Sequence, residues 1–179
     1  RSSAASDVYK RQVDTYFAGK ISSDALSALA KSFTIYFLLI AASFVVTVGG
    51  TSLKANSFGE KNRENILRYF GQTIIYGIIL SILVTIAGLL FASEIFALMG
   101  STSKVINLGL KYTNVIFSGS VIFISVVALN SLLHAEGDTK TFRNVLILSF
   151  FLNIILNPLF IFGYGPIPAM GMTGIGVAT

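Results

Sequence analysis

The sequence predicts an all-α membrane protein, a polytopic helical bundle, and three observations carry that prediction. Four apolar runs, residues 33–48, 73–92, 115–133 and 145–162, contain no Asp, Glu, Lys or Arg. Charged residues make up only 12% of the chain, half the roughly 25% usual in soluble domains. The mean hydropathy is +0.77, so lipid is the main solvent of this chain.

The elements follow in order. Residues 13–19 read as the end of a span. The run 33–48 extends as helix over about 25–54, with Asp24 as an N-cap or first-turn acid that satisfies free N–H groups and the dipole. Gly49 and Gly50 near its far end invite a bend or a close helix contact. The runs 73–92, 115–133 and 145–162 each approach the roughly 20 helical residues that cross about 30 Å of hydrocarbon. Residues 171–179 read as the start of a further span. Between the last two lies Phe162-Gly-Tyr-Gly-Pro-Ile-Pro, a Gly/Pro turn.

Composition removes several function classes. With no cysteine there is no disulfide framework or thiolate metal site, and the single histidine, His134, gives no His-based metal cluster. The net charge of +5 resides in short segments beside apolar runs, a membrane pattern and not a nucleic-acid groove. Lys54, Lys61, Arg63, Arg68, Lys140 and Arg143 fall on one side of the spans; Lys20, Lys31, Lys104 and Lys111 fall on the other. Six against four places the first group in the cytoplasm. Tyr16, Tyr69, Tyr112 and Tyr164 lie near span ends, where interfacial aromatics belong. Residues 2–12, SSAASDVYKRQ, match the translation of a transposase sequencing adapter over eleven consecutive positions. They are set aside from fold reasoning, and residues 13–179 are read as a piece of a longer chain.

Few residues carry candidate chemistry. Asp14 is an acid in a segment that enters the membrane or stops at its surface. At a helix centre an Asp costs roughly 2.5–3.5 kcal/mol to insert, so it would serve ion or substrate traffic there; at an interface it is simply solvated. Asn153 and Asn157, four apart, share one helix face. Pro158 cannot donate to the Ile154 carbonyl, which leaves that oxygen free for water, an ion or a side chain. Such a patch either lines a cavity or makes interhelical hydrogen bonds. Tyr112, Asn114 and Asn130 are candidates to line the same chamber, against interfacial or interhelical roles. Glu94 reads as solvated and His134 as an exposed loop residue. Gly137-Asp138-Thr139 reads as turn chemistry, with Gly at positive φ and Asp or Thr capping the next helix.

Taken together, Val13-Asp-Thr, Ala25-Leu-x-Ala-Leu, Phe58-Gly-Glu-Lys, Gly137-Asp-Thr-Lys, Asn153-x-x-x-Asn157-Pro and Met170-Gly-x-x-Gly resemble the multidrug and toxic compound extrusion (MATE) family. Their order between four spans covers essentially all of residues 13–179. The resemblance implies twelve helices in two six-helix lobes. This chain would supply the end of helix 1, helices 2 to 5 and the start of helix 6, with a C-terminal lobe still to be added. It implies an antiporter of the cytoplasmic membrane that exports organic cations and amphipathic drugs in exchange for Na⁺ or H⁺, with no cofactor. Asp14 matches the family's cation-binding aspartate. Many members have aspartate where Asn157 stands, and an amide cannot titrate, although its oxygen can ligate sodium.

Two other functions compete. A lipid-linked oligosaccharide or lipid-precursor flippase of the same superfamily shares helices and turns, but needs a more cationic cavity. The absence of Lys and Arg from the four runs favours drug export. A membrane-embedded enzyme needs an acid, base, nucleophile or metal set. One candidate intramembrane acid and one histidine do not supply it, so the chain is read as a transporter and not an enzyme.

Overall fold

The computed structural model describes the backbone of residues 2–60 and 62–179, and side chains from residue 10 onward apart from residue 61. Lys61, counted above in the charge bias, lies outside the described residues. Seven helices follow one another among the described residues: α1 (Ser2–Ile21), α2 (Ser23–Gly59), α3 (Arg63–Leu98), α4 (Ser103–Ser118), α5 (Ser120–Ala135), α6 (Thr139–Phe162) and α7 (Met172–Ala178). The chain is an all-α membrane bundle. α2, α3 and α6 are each long and apolar enough to cross a bilayer, and the bent pair α4–α5 makes a fourth span.

Short polar side chains start the helices. Ser22 Oγ accepts from the Ala25 N–H, leaving Asp24 in the first turn, and Asn62 and Thr102 cap α3 and α4 in the same way. Asp138 accepts from the N–H groups of Lys140 and Thr141 at 3.0 Å each and from Thr141 Oγ1 at 2.6 Å. Gly137 precedes it at φ 81°, so the expected division of labour in that turn holds.

The span expected at residues 115–133 is corrected. Helix begins at Ser103, because the Thr102 cap lies well before the apolar run, and it breaks at Gly119 with a bend of 48°. Thr85 of α3 stabilises the bend by donating to the Phe117 carbonyl at 2.9 Å, while Ser120 Oγ bonds the Ser81 carbonyl at 3.1 Å. These hydroxyls satisfy backbone groups at a place where lipid offers no donor. α2 is also longer than expected, running to Gly59, and Gly49-Gly50 does not interrupt it. Gly50 serves instead for close contact with α3 and α5.

α2 is central, packing on α3, α4 and α5 and, more lightly, on α1. Where α3 meets α4, aromatic rings fit over glycines: Phe117 of α4 over Gly88 of α3, and Phe96 of α3 over Gly109 of α4. A Cβ at either glycine would overlap the facing ring. Ala18, Leu29, Val105, Tyr112, Ile161, Met172 and Ile175 form a separate core that joins α1, α2, α4, α6 and α7.

The last connection positions the C-terminal residues. After α6 the chain turns through Gly163 and Gly165 at positive φ, with Tyr164 and Ile167 paired across the turn. Met170 and Gly171 N–H groups then bond the Phe160 and Ile161 carbonyls at 2.9 and 3.1 Å. α7 lies so near the end of α6 that a Cβ on Gly174 would stand 2.6 Å from the Phe160 carbonyl. This contact returns residue 179 to the middle of the bundle.

Candidate functional site

α1, α6 and α7 meet at Asp14. Its carboxylate is 1% exposed and takes hydrogen bonds from both sides. Asn157 Nδ2 donates to Oδ1 at 2.9 Å and Asn153 Nδ2 reaches the same oxygen at 3.4 Å. Asn153 Nδ2 is also 3.3 Å from the Ala178 carbonyl. Thr179 Oγ1 lies 3.1 Å from Asp14 Oδ2 and 2.8 Å from the Ile175 carbonyl, and its one hydrogen can serve only one of them at a time.

Oxygen is in surplus here. The Oδ1 atoms of Asn153 and Asn157 are buried with no hydrogen-bond partner. Buried acceptors normally find a donor, and each one left without is costly. Two such oxygens beside a carboxylate and a hydroxyl make an acceptor-rich cluster that suits a hard monovalent cation or a proton. Turning either amide about its Cγ bond would exchange its nitrogen for its oxygen on the side facing Asp14. The α-helical spacing of four residues puts both amides on one face of α6, and Pro158 follows immediately inside the same helix.

A cavity of about 220 Å³ adjoins the cluster. Asp14, Tyr112 and Thr179 form its polar wall, and Phe33, Tyr36, Ile40 and Phe123 its apolar one. Tyr36 and Phe123 meet edge to face at 6.1 Å. Lys10 and Arg11, from the stretch read as adapter-encoded, also reach this cavity. The Arg11 guanidinium stands 5.1 Å from the Phe33 ring centre and 5.9 Å from that of Tyr36, within the range of cation–π attraction.

The other candidates are scattered. Tyr112 is buried against the cavity and is no interfacial residue, whereas Tyr16 and Tyr164 are well exposed. Asn114, on the same helix as Tyr112, faces outward. Asn130 is buried in α5 with its Oδ1 unpartnered, but does not line the cavity. Glu94 is exposed, as expected. His134 is exposed too, although it sits in the last turn of α5 and not in a loop, with its ring edge to face with Phe142 at 5.9 Å.

Two residues escaped the sequence reading. Thr179 stands at the end of a Gly-rich apolar stretch with no motif to mark it. Lys54, read as the last residue of the helix over about 25–54 and counted among the cytoplasmic cations, is buried inside α2. Its proximity to Lys61 and Arg63 in sequence hid the fact that the helix continues past it.

The MatE family model matches residues 10–159. The chain is 30% identical to the "Probable multidrug resistance protein YoeA" of Bacillus subtilis (strain 168), over 87% of this chain and 34% of that protein. It is 25% identical to a "FAD transporter" of Shewanella oneidensis, over 93% of this chain and 37% of that protein. Among solved structures, a MATE transporter crystallised in the bent conformation superposes with a TM-score of 0.90 at 24% identity, over 99% of this chain and 39% of that one. The chain thus spans a little over a third of the length of these relatives.

Proposed function

The chain belongs to the MatE family, and we propose on that premise that it forms part of a secondary antiporter. This antiporter would export organic cations and amphipathic drugs across the cytoplasmic membrane in exchange for Na⁺ or H⁺. The observation that carries this reading is the Asp14 cluster, in which a buried carboxylate stands beside two buried amide oxygens without donors. The relative named for multidrug resistance supports the cargo class, and the acceptor surplus supports the coupling role.

In this reading Asp14 holds the coupling cation, with Asn153, Asn157 and Thr179 supplying further oxygens. A cation arriving at Asp14 cancels its charge and changes which donors the carboxylate needs. The amide N–H groups and the Thr179 hydroxyl then give up their bonds to Asp14 as their oxygens turn toward the cation, which shifts α6 and α7 relative to α1. That shift biases alternating access. The aromatic wall of Phe33, Tyr36 and Phe123 suits a flat cation. A second lobe, absent from this chain, completes the central cavity in this reading, and the remaining partner is the bilayer.

The test is ion-driven efflux of a fluorescent organic cation by the full-length protein, with Asp14→Asn as the variant. Loss of efflux under both a sodium and a proton gradient is expected. Efflux that persists in the variant would remove Asp14 from the coupling role.

A second reading, transport of an anionic cargo, is favoured by the FAD transporter relative and covers the lipid-precursor flippase. It requires cations on the cavity wall. From residue 13 onward the cavity lining holds none, and Lys54 lies outside it. Competition of a flavin dinucleotide with the organic cation for efflux would favour this second reading.

A further inference from the structure

Lys54 plays no part in the Asp14 site. It lies five residues before the end of α2, wholly buried. Its ammonium donates to Ser131 Oγ of α5 at 2.6 Å and to Thr73 Oγ1 of α3 at 3.5 Å, and stands 5.5 Å from the ring centre of Phe70. Gly50, one turn earlier on α2, makes the room. A Cβ there would come within 3.1 Å of both Lys54 Nζ and Ser131 Oγ, and within 2.8 Å of Thr73 Cγ2. Three helices therefore close around one ammonium group.

The acceptors are neutral and already engaged. Ser131 Oγ gives its hydrogen to the Ala128 carbonyl and Thr73 Oγ1 gives its own to the Tyr69 carbonyl, so each offers Lys54 only a lone pair. The ion pair found among the described residues, Lys104 with Asp24, belongs to the other end of α2. A full charge held by two neutral hydroxyls is incompletely compensated for its lost hydration, and an apolar side chain of similar length would close the crossing more cheaply. Thr73 begins the apolar run of α3, so water is close along the helix axis.

We propose that Lys54 is a positioning residue that keeps the α2–α3–α5 crossing near the threshold of opening. With the crossing shut the ammonium is buried; when α2 parts from α3 and α5 the ammonium regains water. The charge thus favours the open arrangement and Gly50 makes the shut one sterically possible. The proposal concerns the balance between the two, and it stands whether or not Asp14 couples ion flow.

A strut would behave in the opposite way, and that sign is the test. Ser57 is buried one turn beyond Lys54. In the full-length protein with Ser57→Cys as its sole cysteine, reaction with a water-soluble maleimide reports opening of this end. Lys54→Met is expected to slow labelling by about fivefold or more. Lys54→Gln, which keeps a donor but loses the charge, is expected to slow it as well, while Lys54→Arg labels at least as fast as the parent. Faster or unchanged labelling in the Met and Gln variants would overturn the proposal, and so would a Ser57→Cys parent that never labels.

Discussion

Asn157 Nδ2 stands 2.9 Å from Asp14 Oδ1, so α6 grips the carboxylate of α1 across 143 residues of chain. A hydrogen bond to a charged group contributes about 1.5–3 kcal/mol. Asn157→Leu removes that donor and one of the free oxygens together. Sodium-dependent protection against thermal unfolding of the full-length protein is expected to need at least about tenfold more sodium, because 1.4 kcal/mol is one decade in affinity. Unchanged protection would place the cation elsewhere.

The glycine–aromatic contacts between α3 and α4 make a prediction about packing. Gly109→Ala drives a methyl into the Phe96 ring and Gly88→Ala into the Phe117 ring. Overpacking of this kind costs about 1–3 kcal/mol, read as a lower unfolding midpoint in detergent. Pairing Gly109→Ala with Phe96→Leu should restore part of the loss, because the smaller side chain vacates the contested space.

Gly163 and Gly165 separate strain from crowding. Both have positive φ, but a Cβ on Gly163 would stand 2.7 Å from the Ala169 nitrogen, while one on Gly165 meets nothing. Gly165→Ala should therefore cost only the backbone term, about 1–2 kcal/mol. Gly163→Ala should cost more, and should weaken cation binding too by displacing α7 and Thr179. Equal effects of the two substitutions on cation affinity would contradict this.

Asp138 carries a pH dependence. The Thr141 hydroxyl, then the Thr141 N–H, hold its carboxyl below the ordinary aspartate range. The folded-state value is depressed, so the stabilisation is complete above the unfolded-state value and is lost as pH falls through the folded one. The difference in unfolding midpoint between the parent and Asp138→Ala should be constant near neutrality, begin to shrink near about pH 4 and vanish only at more acid pH, below the folded-state value. Asp138→Asn should retain most of the cap at neutral pH.

Much of the bundle was legible because lipid enforces long uncharged runs, and the turn before α6 because Gly137 and Asp138 have local jobs. The bend at Gly119 was not legible. Thr85 stabilises it from another helix, and an apolar run reads the same whether straight or broken. At the site, the four-residue spacing of Asn153 and Asn157 showed a shared face, but their meeting with Asp14 depends on how α1 and α6 pack. Thr179 arrives by way of the α6–α7 turn, and Lys54 is buried only because Gly50 leaves room beside it. Tertiary relations of that kind leave no periodic trace in the sequence.

The partners that surround Asp14 have a consequence for biogenesis. Asn153, Asn157 and Thr179 follow it by 139, 143 and 165 residues. At synthesis rates of about 5–20 residues per second, the carboxylate emerges roughly 7 to 30 s before its donors exist. During that interval the carboxylate has none of these hydrogen-bond partners, and its burial against α6 and α7 has to wait for them. Closure of the Asp14 cluster is therefore a late event, and ribosome stalling before residue 179 should leave the carboxylate open to a membrane-permeant carboxyl reagent that the finished chain resists.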